Sequence, residues 1–315
     1  MNQFDTRRPA PDGRVSDATE ANWVDAFCPV WSRPWLRLSR ADRPIGTWLL
    51  LIPCLWAIAM AANWYGWAWL DIWLVVGSTL GAFLMRGAGC TWNDFTDKEI
   101  DAQVERTRSR PIPAGQVSPA GALGWGIIQA CIAALILFTF NWTAIALGIL
   151  SLALVAVYPF AKRFTWWPQV FLGLAFNWGA ILLWAAKTGT VGLAPISLYL
   201  AGIAWTLHYD TIYAHQDRED DALAGVKSTA LLFDEDTHKM LWMFTGITGT
   251  FAASAVLMAG GGWLSLLGVA GLVIHMAWQT LALDIEDPDQ CLMLFRSNRT
   301  AGLILLAALV VDSLI

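Results

Sequence analysis

Long uncharged stretches alternate with shorter charged ones along this chain. No Asp, Glu, Lys or Arg occurs at positions 44–70, 111–161, 164–186, 188–209 or 240–283. A membrane-spanning helix needs about 20 apolar residues, so the two longest windows each have room for two helices. The pattern predicts nine transmembrane helices, of which the last is the shortest, at 45–63, 68–90, 118–138, 141–159, 166–186, 193–213, 240–259, 263–283 and 299–315.

The composition agrees with this pattern. Hydrophobic residues make up 57% of the 315 positions and charged residues only 14%, against roughly 25% charged residues in a soluble domain. We therefore expect an all-α integral membrane protein in a lipid bilayer, with an N-terminal segment at 1–43 and a transmembrane domain at 44–315. The net charge of −5 says little about partners, and we expect no nucleic acid among them.

Basic residues fall almost entirely on one side of the predicted bundle. Under the nine-helix arrangement, 19 of the 20 Lys and Arg residues share the side of the N-terminus, and only Lys187 lies on the other. Because basic loops stay inside, we expect a cytoplasmic N-terminus. The first 43 residues combine arginines with several acidic residues and lack an apolar signal region, which is typical of neither a secretory nor a mitochondrial leader. We therefore expect a bacterial cell inner membrane.

Two acidic clusters follow predicted helices on the basic side. On a helix, Asn93, Asp97 and Asp101 recur at every fourth position and share one face, and Asp217 and Asp221 do the same. Like charges at this spacing repel each other, so a positive group should lie between them. Mg²⁺ that carries phosphate oxygens is the simplest such group, because hard cations prefer oxygen ligands. In a membrane protein such clusters predict a functional site.

The two clusters look like halves of a repeat. Asp97 and Asp217 lie 120 residues apart, and each cluster is followed by a base and a hydroxyl, at Arg106-Thr107 and at Lys227-Ser228-Thr229. Paired halves that face each other across a central cavity are a recurrent plan in membrane proteins. The long loops at the clusters predict short helices that form a cytoplasmic cap over the cavity. The alternative is two unrelated, solvated loops.

Further bases and an aromatic hydroxyl extend the candidate site. Arg106, Arg110 and Lys227 follow the acidic clusters, while Tyr158 and Lys162 lie four residues apart at the end of the fourth predicted helix. Arg and Lys neutralise the phosphate oxygens that a metal leaves uncompensated. The alternative for Tyr158 and Lys162 is an interfacial anchor at the end of a membrane helix.

At these positions the chain resembles the UbiA superfamily of intramembrane prenyltransferases, over about residues 35 to 315. Four family motifs occur in order: NDxxDxxxD from Asn93, RTxxRPxPxG from Arg106, YxxxK at Tyr158 and Lys162, and DxxxD at Asp217 and Asp221. Four ordered motifs at the expected helix ends make the resemblance specific. The stretches KRxTxxPQ from Lys162 and GVKST from Gly225 are similar to those of members that prenylate 4-hydroxybenzoate.

The resemblance implies a nine-helix bundle around a cavity that holds Mg²⁺ and a polyprenyl diphosphate at its cytoplasmic end. The implied reaction moves the polyprenyl group to the ring carbon ortho to the hydroxyl of 4-hydroxybenzoate and releases diphosphate, as in ubiquinone biosynthesis. The implied metal ligands are Asn93, Asp97, Asp101, Asp217 and Asp221, and the four aspartates are the implied catalytic residues. The implied diphosphate contacts are Arg106, Arg110, Tyr158, Lys162 and Lys227.

The acceptor is an anion that must lie beside a negative diphosphate, so we expect a guanidinium to bind its carboxylate. Arg163 is the first candidate and Arg43 the second, and membrane anchoring is the alternative for both. A naphthoate, homogentisate or haem acceptor stays open. A divalent-cation or phosphate transporter is the alternative of another class, but transporters place ionisable groups at mid-membrane, where this chain is uncharged.

Overall fold

Nine long helices form most of the part of the chain that the structure describes. The computed structural model describes Val15, Ala18 and residues 22–104, 107–223 and 225–315, with the backbone alone for Asp217, Glu219 and Asp220. All regular structure in these ranges is helical, which confirms the all-α class. The long helices are α1 Ile45–Tyr65, α2 Trp69–Asp101, α3 Pro119–Leu137, α4 Trp142–Phe164, α5 Pro168–Thr188, α6 Leu193–Ala214, α7 Thr237–Met258, α8 Trp263–Ala282 and α9 Pro288–Asp312.

Short helices occupy the segments outside these nine. Two precede α1, at Trp23–Phe27 and Arg33–Leu38, with a 3-10 turn at Val30–Ser32 between them. The loop between α6 and α7 contains the others: helices Arg218–Leu223 and Thr229–Phe233 and 3-10 turns His215–Asp217 and Asp234–Asp236. The expectation of short helices is therefore confirmed for the loop that contains the second acidic cluster. It was wrong for the described residues of the loop after the first cluster, 102–104 and 107–118, which form turns and bends.

Helix α2 continues well beyond the predicted end at position 90. It runs for 33 residues to Asp101, so the first acidic cluster lies on a spanning helix. The apolar window ends where charged residues begin, but no Gly or Pro interrupts positions 91–101. Thr91, Asp94, Asp97 and Asp101 are buried on one face, and tertiary packing of that face extends the helix.

Helix α9 begins at Pro288, so the predicted start at 299 was wrong. Asp287 caps it, because its Oδ1 accepts from the backbone N–H of Asp289 and Gln290 at 3.1 Å, and Pro288 suits the first helical position. Arg296 and Arg299 break the apolar run, but both are exposed. The buried face of the same turns includes Cys291, Leu294, Phe295 and Asn298, so the helix is amphipathic there.

Helix α6 accounts for the difference between the nine predicted spans and the number of apolar helices in the described residues. Within the described residues, eight helical stretches are long and apolar enough to cross a membrane, and α6 is not one of them. It packs against α5, α7 and α9, and side chains of α5 and α8 make hydrogen bonds with its polar groups. Thr206 Oγ1 lies 2.8 Å from Asn177 Nδ2, and His208 Nε2 lies 3.0 Å from Thr280 Oγ1. Partners inside the protein let a membrane helix contain polar residues, which lowers its mean hydropathy.

The chain divides into two compact units. The first comprises Met1–Gly46 and Phe83–Ala133, and the second comprises Thr47–Ala82 and Ala134–Ile315. The first unit has a small apolar core of Leu38, Ile112, Val117 and Ala122, against which Trp35, Phe95 and Trp125 pack. This core joins the segment before α1 to the loop that follows α2.

The second unit is held by tryptophan hydrogen bonds and close helix contacts. Trp56 Nε1 donates to the carbonyl of Gly302 at 2.9 Å, and Trp205 Nε1 donates to Asn298 Oδ1 at 2.9 Å. A Cβ at position 302 would lie 2.8 Å from Ile52 Cγ2, so glycine permits this approach of α9 to α1. At the predicted far side, Lys187 Nζ lies 2.5 Å from Asp71 Oδ2, and both side chains are almost wholly buried.

Candidate active site

The carboxylates of the first acidic cluster lie on the buried face of α2 in the first unit. Asp94 and Asp97 are fully buried and Asp101 is 4% exposed. Asn93, on an adjacent part of the helix, is half-buried. Isolated buried carboxylates are costly, and burial of three on one face therefore requires nearby positive charge.

Two arginines provide that charge. Arg40 Nη2 lies 2.5 Å from Asp94 Oδ1. Arg110 Nη1 lies 2.8 Å from Asp101 Oδ2 and 3.3 Å from Asp94 Oδ1. Arg110 was predicted as a diphosphate contact, and in the structure it bridges two carboxylates of the first cluster.

Arg40 is a site residue that the sequence reasoning did not include. It is 6% exposed and has a φ of 57°, a backbone region that non-glycine residues seldom adopt. Burial alone would lower the pKa of Arg40, but the carboxylate of Asp94 raises it above its ordinary value. The ion pair joins residues 54 positions apart, so no local sequence pattern could indicate it.

Arg43 lies in the same turn. Its Nε is 3.3 Å from Asp42 Oδ1, and its side chain is only 12% exposed. Asp42 is fully buried, and burial raises the pKa of its carboxyl to about 6, although Arg40 and Arg37 oppose that rise. Arg43, the second candidate for the acceptor carboxylate, therefore lies in a desolvated position beside an acid.

Arg86 extends the polar face of α2 toward the membrane interior. It lies seven residues before Asn93, which is two helical turns. A Cβ added to Gly46 would lie 2.5 Å from Arg86 Nη2, so glycine at the start of α1 leaves room for the guanidinium. The sequence reasoning used Arg86 only to assign topology.

The second acidic cluster, in the second unit, does not lie on one continuous α-helix. Helix α6 ends at Ala214, a 3-10 turn covers His215–Asp217, and a new helix begins at Arg218. The prediction that Asp217 and Asp221 share a regular helix face is therefore wrong, because the 3-10 turn changes the helical spacing. The side chain of Asp217, like the whole of Arg106, lies outside the described residues.

His215, beside this cluster, is buried and neutral. Its Nε2 lies 3.0 Å from Thr237 Oγ1. Burial lowers its pKa to about 4, and Arg218 acts in the same direction. The imidazole therefore makes a hydrogen bond to the start of α7 and adds no positive charge at neutral pH.

Lys162 and Lys227, both predicted to contact diphosphate, are neighbours in the second unit. The backbone N–H of Lys227 donates to the carbonyl of Lys162 at 3.2 Å. Lys227 Nζ also lies 5.6 Å from the centre of the Trp166 ring. Both lysine side chains are half-buried, so two positive charges share one part of this unit.

Buried polar contacts hold this lysine pair in place. Gln169 Oε1 accepts from the backbone N–H of Thr229 at 3.2 Å, and Thr229 Oγ1 lies 2.7 Å from Thr211 Oγ1 on α6. Ser228 caps the helix that starts at Thr229. These contacts link the start of α5 and the last turn of α6 to Thr229, two positions after Lys227. The sequence analysis assigned none of Gln169, Thr211 and Thr229 to the site.

Tyr158 and Arg163 lie near the end of α4, but they differ in exposure. Tyr158 is half-buried, and Arg163 is exposed, with its guanidinium carbon 5.3 Å from the centre of the Phe160 ring. Arg163 therefore adjoins Lys162 in sequence without sharing its burial. Its predicted contact with the acceptor carboxylate stays a prediction.

The first cluster suits a hard divalent ion by its donor chemistry. Its ligands are carboxylate and amide oxygens, and Asp94 Oδ2 is buried with no hydrogen-bond partner among the described residues. Within the same part of the chain, no three His, Cys, Asp or Glu side chains converge closely enough to hold a metal together. Of the two arginines, Arg110 contacts an oxygen of a predicted metal ligand, Asp101.

We predict that Arg40→Ala strongly destabilises the protein. Removal of one partner of a buried ion pair costs about 3–5 kcal/mol, because Asp94 keeps its buried charge. Thermal unfolding in lipid nanodiscs measures the effect, with Arg33→Ala as the matched control, since Arg33 Nε donates only to the carbonyl of Cys28 among the contacts resolved.

The double variant Arg40→Ala/Asp94→Asn should be more stable than Arg40→Ala alone, because a neutral amide needs no counter-charge. Equal thermal unfolding midpoints for Arg40→Ala and Arg33→Ala would show that the ion pair between Arg40 and Asp94 does not stabilise the protein.

Curated relatives match almost the whole chain. The mitochondrial 4-hydroxybenzoate polyprenyltransferase of Drosophila melanogaster is 46% identical over 287 residues, which cover 90% of this chain and 72% of that protein. The mitochondrial enzyme of the same name from Bos taurus is 45% identical over 323 residues, which cover 96% of this chain and 81% of that protein.

These relatives contradict one expectation. They are mitochondrial enzymes of eukaryotes, so the expected bacterial cell inner membrane was wrong. That expectation depended on the composition of the first 43 residues. The division of basic residues between two sides describes orientation in a membrane and does not identify the compartment.

Solved structures and a family model agree on the fold. A UbiA homologue from Aeropyrum pernix K1 superposes with a TM-score of 0.71 at 20% identity, over 85% of this chain and 98% of that chain. A homologue from Archaeoglobus fulgidus, solved with GPP and Mg²⁺, gives a TM-score of 0.64 at 18% identity, over 90% of this chain and all of that chain. The UbiA prenyltransferase family model matches residues 50–305. The chain therefore belongs to the UbiA prenyltransferase family.

Proposed function

We propose that this protein transfers a polyprenyl group from polyprenyl diphosphate to the ring carbon ortho to the hydroxyl of 4-hydroxybenzoate, as a step of ubiquinone biosynthesis. Relatives that are 43–46% identical over at least 90% of the chain have this activity in their names. The observation that carries the proposal is the buried acidic face of α2 with its two arginines. Carboxylates that could hold a metal and arginines that could bind phosphate oxygens, carried on the fold of the UbiA family, suit a diphosphate substrate.

We assign metal binding to both acidic clusters. The ligands are Asn93, Asp97, Asp101, Asp217 and Asp221. When bound, Mg²⁺ neutralises diphosphate oxygens and so makes diphosphate a better leaving group. The burial of Asp97 supports this assignment, since a carboxylate out of water attracts a cation more strongly than a solvated one.

Bases contact the remaining diphosphate oxygens. The assigned residues are Arg106, Arg110, Tyr158, Lys162 and Lys227. Arg110 is within 2.8 Å of Asp101, and a diphosphate offers the same guanidinium a planar two-bond contact with higher charge. The backbone hydrogen bond between Lys227 and Lys162 holds the main chain of two further bases together.

The chemistry is an electrophilic substitution on the acceptor ring. The bond between the allylic C1 and the diphosphate oxygen breaks, and the oxygen keeps the electron pair. The ring carbon ortho to the hydroxyl then forms a bond to C1, and loss of the proton from that carbon restores aromaticity. Asp97, Asp101, Asp217 and Asp221 are the assigned catalytic residues, and a carboxylate among them or the released diphosphate takes the proton. Exclusion of water protects the cation.

The carboxylate of 4-hydroxybenzoate needs its own positive partner beside a negative diphosphate. We assign this role to a guanidinium, with Arg163 first and Arg43 second. Arg163 is accessible and follows Lys162 directly. Arg43 is more deeply buried, and burial strengthens a contact between charges. However, Asp42 competes for its guanidinium, because Asp42 Oδ1 lies 3.3 Å from Arg43 Nε.

We predict that Asp97→Asn and Asp217→Asn each lower kcat by about 100-fold or more, because loss of a charge that holds the metal weakens the stabilisation of the departing diphosphate. Steady-state prenyl transfer with purified enzyme, Mg²⁺ and 4-hydroxybenzoate measures this. Glu99→Gln is the matched control, since Glu99 is an exposed carboxylate on the same helix. Wild-type turnover by a folded Asp97→Asn enzyme at saturating Mg²⁺ would contradict the metal assignment.

A second prediction concerns the acceptor. Alanine at the carboxylate-binding arginine, Arg163 or Arg43, should raise the KM for 4-hydroxybenzoate roughly 10- to 100-fold, the loss expected for a hydrogen-bonded charge. The KM for the polyprenyl diphosphate should change little. Arg296→Ala, an exposed arginine on α9, is the control.

A phenol without the carboxylate should be a poor substrate for the wild type and equally poor for the responsible variant. If both arginine variants keep the wild-type KM for 4-hydroxybenzoate, the assignment is wrong.

A further inference from the structure

Four large apolar side chains are exposed in the segment that precedes α1. Trp23 is 45% exposed, Phe27 85%, Val30 74% and Trp31 77%. They lie on the helix Trp23–Phe27 and the 3-10 turn Val30–Ser32, outside the eight spans. We call these four residues the N-terminal apolar patch. A cluster of exposed apolar side chains marks an interaction surface.

Polar contacts within the first unit hold the segment that carries the patch. Trp23 Nε1 donates to the carbonyl of Ala41 at 2.8 Å, and Arg37 Nη2 lies 2.6 Å from Asp25 Oδ1. Val24 and Leu38 occupy the buried positions of the same segment. Because these inward positions are filled, the exposed side chains cannot turn into the core without displacing them.

The neighbouring helix fixes the depth of this segment relative to the membrane. Trp35, in the helix Arg33–Leu38, packs against Trp125 with ring centres 5.8 Å apart, and its ring approaches Gly121 closely. Both partners lie in the first two turns of the span α3, which begins at Pro119. At 1.5 Å per residue, Trp125 is about 9 Å along the helix axis from that end. For a helix that crosses the bilayer from Pro119, this level corresponds to the boundary between the hydrocarbon region and the head groups.

We propose that the N-terminal apolar patch inserts into the surface of the membrane that α3 crosses. Tryptophan prefers this boundary, because its ring is apolar and its N–H is polar. Interfacial segments place Trp and Phe about 5–10 Å into the boundary between head groups and acyl chains. The surface continues the lipid-facing side of the same unit, since the segment packs on α3.

This contact bears on the active site through Arg40. The segment that carries the patch ends in the turn where Arg40 pairs with Asp94. Insertion into lipid would hold the exposed side of the segment, while the ion pair between Arg40 and Asp94 holds its buried end. The membrane surface thus helps to hold an arginine that compensates the acidic face of α2.

Spin labels can test the insertion directly. Phe27→Cys and Trp31→Cys are made singly in a cysteine-free background, labelled and reconstituted in phospholipid vesicles. Oxygen concentrates in the bilayer and a nickel chelate stays in water, so the ratio of the two collision rates reports depth. Labels at Gln103 and Ala114, which are exposed in the same unit, are the controls. Circular dichroism verifies folding, and Val30→Cys replaces either variant that fails to fold.

Labels at positions 27 and 31 should collide with oxygen several-fold more often, relative to the nickel chelate, than the control labels do. The calculated depth should be about 5–10 Å. Labels as accessible to nickel as position 103 would place the patch in water and overturn the proposal. Protection from both reagents would also overturn it, because another part of the protein would then cover the patch.

Discussion

The interaction on which the first unit depends is compensation of buried negative charge on α2. Two unit charges 4 Å apart interact by roughly 4 kcal/mol at an effective dielectric of 20, so three carboxylates out of water cannot share a helix face without cations. Arg40 and Arg110 reach them from opposite directions along the chain, one from the turn before α1 and one from the loop after α2. Both connecting segments are therefore tied to the helix that carries the acids.

The rest of the first unit supports those arginines. Arg40 has a positive φ, and its turn is fixed because Trp23 donates to the carbonyl of Ala41. The apolar core around Leu38 and Ile112 brings the segment and the loop together. A guanidinium that is held in this way can exchange a carboxylate for a phosphate oxygen with little change in geometry, which suits a site for a charged substrate.

In the second unit, buried hydrogen bonds between neutral groups hold a loop in place. Thr211, Thr229 and Gln169 form buried hydrogen bonds that anchor the loop after α6. Lys227 is thereby held beside the end of α4, where its backbone meets Lys162. In a membrane, such polar contacts are retained because unsatisfied groups cost several kcal/mol. The polar content of α6 thus reflects its neighbours, which explains its absence from the apolar spans.

The local part of this architecture could be predicted from the sequence, and the long-range part could not. Spacing placed Asn93, Asp97 and Asp101 on one helix face, and charge-free windows located the spanning helices. The windows failed where charge lies on the exposed face of a helix, as at Arg296, so the predicted length of α9 was too short. Arg40 was missed because its partner is 54 residues away. The 3-10 turn before Arg218 was missed because nothing in its composition interrupts a helix.

Binding of a divalent ion in the absence of turnover is the direct test of metal binding by the buried acidic face of α2. Mn²⁺, which has a paramagnetic signal, is titrated into the wild type with a non-hydrolysable prenyl thiolodiphosphate, and bound and free ion are separated by electron paramagnetic resonance. We expect Asp97→Asn to weaken this binding at least about 10-fold and Glu99→Gln to leave it unchanged. Equal Mn²⁺ affinity in Asp97→Asn and the wild type would show that the buried face of α2 does not hold the metal.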